Sequence, residues 1–177
     1  MEVTSDGTTM CFDVWHNCVV QKEFSLPIKP LEETNGEANP SQQETKTLWL
    51  HRKGAAPADV GPVVIPGSRG HFSYLIVPIN SEVSGYSLAH GAGRKWNRGK
   101  ALQMASANKK LAQQLTITEL GSRVICENKD LLFEEVPQAY KEIDDIINDL
   151  KHFNLIKVVA TFRPIITYKT RVIKYSK

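Results

Sequence analysis

Read from its first residue, the chain alternates short apolar runs with polar, turn-forming stretches, the pattern of strands and amphipathic helices of modest length. Residues 8–20 alternate and end in apolar side chains, predicting a strand that carries the His16-Asn17 pair. From Ser25 to Thr47 apolar residues almost vanish, while Pro27, Pro30, Gly36 and Pro40 recur among Glu, Asn, Gln, Ser and Thr. That stretch, 25–47, reads as a flexible insertion at a surface loop. Short strands are predicted at 48–54, 60–65 and 72–79, with Pro66-Gly67-Ser68-Arg69-Gly70 as a tight turn between the last two. Helical spacing follows at 100–115, where Met104, Ala107, Leu111 and Leu115 form one stripe. It returns at 136–150, where Pro137 opens the first turn and Ala139, Tyr140, Ile143, Ile146, Ile147 and Leu150 face inward. A brief strand at 124–126, and two more at 156–162 and 165–168 around Arg163-Pro164, complete the pattern. The expectation is an α+β fold, one domain over 1–177, with mixed twisted sheets and two packed amphipathic helices.

Composition narrows this only a little. The 177 residues, 41% hydrophobic, suffice for one sizeable core. No apolar run approaches the length of a membrane span, and Met1-Glu2-Val3-Thr4-Ser5-Asp6 lacks the basic start and apolar stretch of a signal peptide, so a cytoplasmic protein without membrane contact is expected. Cys11, Cys18 and Cys126 are an odd count at no metal-ligand spacing, which argues for reduced thiols and against structural zinc. The net charge of +3 conceals an asymmetry: residues 1–49 carry eight acidic and three basic side chains, whereas 50–177 carry nineteen basic and eleven acidic. A surface of that sign attracts polyanions, although a charge run of this size also serves simply as a solvated face.

The chemistry concentrates at His90-Gly91-Ala92-Gly93-Arg94. Two glycines let backbone N–H groups approach a phosphate, an arginine fork matches its oxygens, and an imidazole can attack phosphorus. Between His90 and Lys110 stand Arg94, Lys95, Arg98, Lys100, Lys109 and Lys110 with no acidic residue. The plainer alternative is a GxG turn beside a chance histidine with the lysines on a solvated face. Glu134, Glu135, Asp144, Asp145 and Asp149 could form an acid/base or metal cluster, but carboxylates in the first turn of a helix also favour its dipole, and that reading is preferred. No Gly-Lys-Ser/Thr follows a glycine loop, which excludes a P-loop enzyme.

Seven pieces fall in a fixed order: His16-Asn17; Arg52-Lys53-Gly54-Ala55; Pro66-Gly67-Ser68; Ser73-Tyr74; His90 to Arg94 with Arg98; Glu135-Val136-Pro137 with Ala139-Tyr140-Lys141; and Arg163-Pro164 leading to Lys169. In this order they resemble the C-terminal half of the RtcB family of tRNA-splicing RNA ligases. The resemblance implies joining of 3′-phosphate and 5′-hydroxyl RNA ends, in tRNA halves or broken RNA, with GTP and Mn²⁺. It implies that His90 becomes guanylylated, that Ser68, Ser73, Gly91, Ala92, Gly93, Arg94 and Lys169 contact the nucleotide, and that His16 ligates manganese. Arg69 stands where methionine is common, and His71, Asn97 and Thr170 also depart from the usual pattern. The remaining metal ligands belong to the family's N-terminal half, a partner this chain needs because two Mn²⁺ ions cannot be held by His16 alone. The alternative is a non-catalytic RNA- or nucleotide-binding fragment.

Overall fold

The computed structural model describes residues 2–3, 9–10, 17–27, 43–107 and 115–170. Two short strands, β1 (Glu2–Val3) and β2 (Thr9–Met10), pair antiparallel. The next pair, β3 (Asn17–Pro27) and β4 (Gln43–Lys53), forms a long antiparallel ladder running from Asn17↔Lys53 to Pro27↔Gln43. Residues 25–27 and 43–47, expected in a loop, therefore belong to paired strands, while 28–42 lie outside the described residues. The backbone ladder supplies the order here, and it does so without burying side chains at 44–49, which are all exposed, Leu48 and Trp49 included. Polarity was thus a poor guide to chain conformation. The base of this ladder is tied to the body by Lys22 and Arg52, which reach Asp59 at 2.8 and 3.2 Å.

The core lies beneath a three-stranded antiparallel sheet, order β10-β7-β6, built from β6 (Val63–Ile65), β7 (Ser73–Pro78) and β10 (Ile156–Phe162). Beside it β5 (Ala55–Pro57) pairs with β8 (Ser87–Ala89). Helix α1 covers Arg98–Ser106, α2 covers Lys129–Glu134 and α3 covers Ile143–His152. On α3, Ile143, Ile147 and Leu150 recur at the spacing of one helical face and meet Val63, Ile65 and Ile76 of the sheet. Burying each such side chain stabilises the fold by roughly 1.5–3 kcal/mol. A second cluster joins Ala101 and Ala105 of α1 to Leu115, Val136 and Ala139. Strand β9 (Arg123–Cys126) lies parallel to β11 (Ile166–Lys169), in register Ile166↔Arg123 to Lys169↔Cys126.

The α+β class stands, with helices that differ from those expected. Helix α1 is capped by Asn97, whose Oδ1 accepts from Lys100 N–H at 2.8 Å. Its buried face is Ala101 and Ala105, not Met104 (48% exposed) and Ala107. The small alanines allow close packing on α2, and the expected stripe was one position out of phase; Leu111 lies outside the described residues. The helix expected at 136–150 is interrupted: Pro137–Ala139 make a 3₁₀ turn, Tyr140 is extended (φ −106°, ψ 157°), and α3 begins at Ile143. Helix α2 was not expected at all; Asn128 caps it by accepting from Asp130 N–H at 2.8 Å. No helix among the described residues is long and apolar enough to cross a membrane.

Candidate functional site

The turn between β6 and β7 is set by close backbone approach. A Cβ at Gly67 would lie 2.2 Å from the carbonyl oxygen of Phe72, so only glycine fits there. Gly67 N–H donates to Ser73 Oγ at 3.3 Å, fastening one end of the turn to the start of β7. At the other end His71 N–H donates to Ser68 O at 3.0 Å, Gly70 N–H donates to Ser68 Oγ at 3.3 Å, and Ser68 Oγ lies 2.6 Å from His71 Nδ1.

Behind this turn is a cavity of about 220 Å³. Ser68, Ser73, Thr167 and Tyr140 bring hydroxyls to it, and Arg69 and Lys169 bring positive charge. The parallel pairing of β11 with β9 places Lys169 there, opposite Cys126. Arg69 is only 8% exposed. Its Nη2 donates to Leu132 O at 2.8 Å, while Nε and Nη1 have no hydrogen-bond partner among the described residues. Burial pulls its pKa down from the ordinary arginine value, against the opposing influence of Cys126, Glu135 and Tyr140. Burial likewise pushes the Cys126 thiol up, and Arg69 and Lys169 oppose it.

His90 follows β8, and its loop is docked on both sides. Ala92 N–H donates to Pro66 O at 3.3 Å, joining the loop to the Ser68 turn. Lys141 N–H donates to Gly93 O at 3.1 Å, and Lys95 and Trp96 N–H both reach Ala139 O, at 2.9 and 3.2 Å. Gly93 takes φ +69°, the left-handed conformation that redirects the chain toward α1. Arg94 is consumed internally: Nε donates to Trp96 O (3.0 Å), Nη1 to Glu135 Oε1 (3.3 Å) and Tyr140 Oη (3.0 Å), and Nη2 to Glu134 O (2.6 Å). Tyr140 Oη in turn donates to Glu135 Oε2. Its pKa is pushed up to about 12 by burial first and then by the Glu135 hydrogen bond, with Arg94 opposing.

Of the residues singled out in the sequence, Ser68, Ser73 and Lys169 line one cavity. His90, Gly91, Ala92, Gly93 and Arg94 form the adjoining loop and are not part of its lining. His16 lies outside the described residues. Glu134 and Glu135 are buried at the C-terminal end of α2, where they meet Arg94 and Arg98, so the helix-dipole reading fails for them; Asp144 and Asp145 do occupy the first turn of α3. Arg69, Glu135, Tyr140 and Thr167 were not assigned to the site, although the Glu135 to Tyr140 motif was visible as a piece of the pattern. Among the described residues no group of three or more His, Cys, Asp or Glu side chains could hold a metal ion. Outside the cavity, Lys95, Arg98 and Lys100 stand exposed around Trp96, with Lys100 Nζ 5.9 Å from the indole centroid.

A hydroxyl-lined cavity with a guanidinium, an ammonium and the Glu135 carboxylate on its walls, beside a histidine-glycine loop, defines an α+β protein with a site for a polar, hydrogen-bonding ligand. Residues 2–170 match the family described as tRNA-splicing ligase RtcB, and the chain belongs to that family. It is similar to the RNA-splicing ligase RtcB2 of Escherichia coli, 54% identical over 121 residues that make up 68% of this chain and 32% of that protein. It is also similar to the tRNA-splicing ligases RtcB of Nanoarchaeum equitans, 33% identical over 94% of this chain and 35% of the relative, and of Aeropyrum pernix, 31% identical over 90% and 32%. The chain spans about a third of the length of these relatives, where the sequence pattern had suggested half.

Proposed function

We propose that this chain carries the nucleotide-binding and histidine-bearing part of a cytosolic, GTP-dependent RNA ligase that joins 3′-phosphate and 5′-hydroxyl ends. One observation carries the reading: Ser68 and Ser73 of one turn and Lys169 from far along the sequence line one cavity, and the His90 loop is hydrogen-bonded to the residue two before Ser68. An imidazole nitrogen of His90 attacks the α-phosphorus of GTP; a P–N bond forms as the bond to the bridging oxygen breaks, and pyrophosphate leaves. The guanylate then passes to an RNA 3′-phosphate, and an incoming 5′-hydroxyl displaces GMP. Lys169 and Arg69 supply positive charge, Ser68 and Ser73 supply hydrogen bonds, and Arg94 holds the loop rather than the phosphate. The exposed Lys95, Arg98 and Lys100 suit the RNA backbone.

For residues 1–177 alone a narrower reading is favoured. The chain spans a third of its relatives' length and the described residues offer no metal cluster, so it binds nucleotide or RNA without joining ends. Incubated with α-labelled GTP, Mn²⁺ and the rest of a full-length relative's catalytic unit, the chain is expected to become labelled and the His90→Ala variant to stay unlabelled. Label retained by that variant sinks the assignment, and robust RNA joining by the chain alone sinks the narrower reading.

A further inference from the structure

Ser68 is buried, and its hydroxyl has one proton to donate and two lone pairs to accept with. Gly70 N–H occupies one lone pair. The remaining neighbour, His71 Nδ1, is 2.6 Å away, and whether it donates or accepts is fixed on the far side of the ring. There His71 Nε2 lies 3.0 Å from Glu142 Oε2. A carboxylate oxygen only accepts, so in this contact the proton sits on Nε2. In the neutral ring Nδ1 is then bare and takes the Ser68 proton.

We infer that His71 is a positioning residue that makes Ser68 a hydrogen-bond acceptor toward the cavity, and so selects a ligand edge that carries N–H donors. Ser68 lines the cavity, its proton is committed to His71, and the lone pair left over is what it presents. On the reading of that cavity as a nucleotide pocket, on which this clause rests, the matching edge is the N1–H and N2-amino side of guanine. If the imidazole takes up a second proton the polarity reverses. Nδ1–H then donates to Ser68, both lone pairs are filled, and the hydroxyl proton turns free to point at the ligand as a donor. The charged groups that face His71 come from four parts of the chain, all lining a second cavity of about 180 Å³ on the other side of the turn: Arg69 from the turn itself, Lys95 after the His90 loop, Glu119 ahead of β9, and Glu142 ahead of α3. A line of close polar contacts thus runs from Ser68, through His71, to Glu142.

The test pairs a direct and a functional readout on the chain. Long-range ¹H–¹⁵N spectra of the imidazole at about pH 8, where an ordinary histidine is neutral, should show the Nε2–H tautomer. Equilibrium binding of GTP should fall by about tenfold in His71→Phe, the size of one hydrogen bond, and be largely restored in His71→Asn, whose Oδ1 can take the Ser68 proton. An Nδ1–H tautomer overturns the inference whether or not any nucleotide binds. Equal GTP affinities for the Phe and Asn variants overturn it as well. Absence of GTP binding by the parent chain would instead remove the reading of the cavity, with the tautomer still deciding the polarity of Ser68.

Discussion

Two arginines, twenty-five residues apart on glycine-containing turns, have opposite fates. Arg94 sits in a closed network in which Trp96 O, Glu134 O, Glu135 and Tyr140 together take all three of its nitrogens. Arg69 is more deeply buried, yet among the described residues one bond to Leu132 O is its whole hydrogen-bond complement, and it borders the cavity. A cation whose donors are saturated by its own protein holds a loop in shape. One that is desolvated and left short of acceptors gains from a ligand that brings them. Proximity to a phosphate-like motif is thus a weaker guide to ligand binding than the state of a residue's hydrogen bonds.

The sharpest contrast should come from stability. Arg94→Ala takes from the buried Glu135 its nearest cation and from Glu134 O its donor, and urea denaturation should show a loss of about 3–5 kcal/mol. Arg69→Met removes a poorly satisfied buried charge at similar volume, so its unfolding free energy should stay within about 0.5 kcal/mol of the parent or rise, while GTP affinity drops by about tenfold. Matching losses of stability in the two variants would erase the distinction. A smaller effect tests the closed network from within. The Tyr140 hydroxyl, raised to about 12, favours the folded state while neutral. Its contribution is complete below the ordinary tyrosine value of about 10 and is lost as pH climbs through about 12, because the unfolded chain releases that proton first. Between those values the parent should lose stability with pH more steeply than Tyr140→Phe, as followed by alkaline unfolding; identical slopes would place the hydroxyl outside the network.

How much of this was legible in the sequence follows from the range of the forces involved. The Pro66 to His71 turn and strand 156–162 were readable because glycine, proline and apolar runs act locally. The break at Tyr140 was not: that residue is pulled extended by Arg94, forty-six positions earlier, and no local propensity encodes it. The same holds for Glu134 and Glu135, which look like a helix start until Asn128 is seen to cap a helix that ends on them. On the ladder of 17–27 with 43–53 the polar composition misled, because backbone pairing at an exposed surface leaves no apolar signal. Among the residues lining the cavity, Ser68, Ser73 and Lys169 are the ones that the ordered pattern had singled out. Arg69 was noticed only as a departure from that pattern, and its consequence depends on burial, which a sequence does not print.

The parallel pairing of β9 with β11 also governs when the cavity comes into being. The turn that bears Ser68 closes between strands paired as near as Ile65↔Tyr74, nine residues apart, whereas the wall that bears Lys169 needs Ile166 to find Arg123 across forty-three. Loop closure costs more entropy at the longer span, and parallel strands give slightly less in return per residue, so the two walls do not share a folding time. The Ser68 side is an early, local product of the chain, and the cavity lacks its Lys169 wall until β11 pairs with β9.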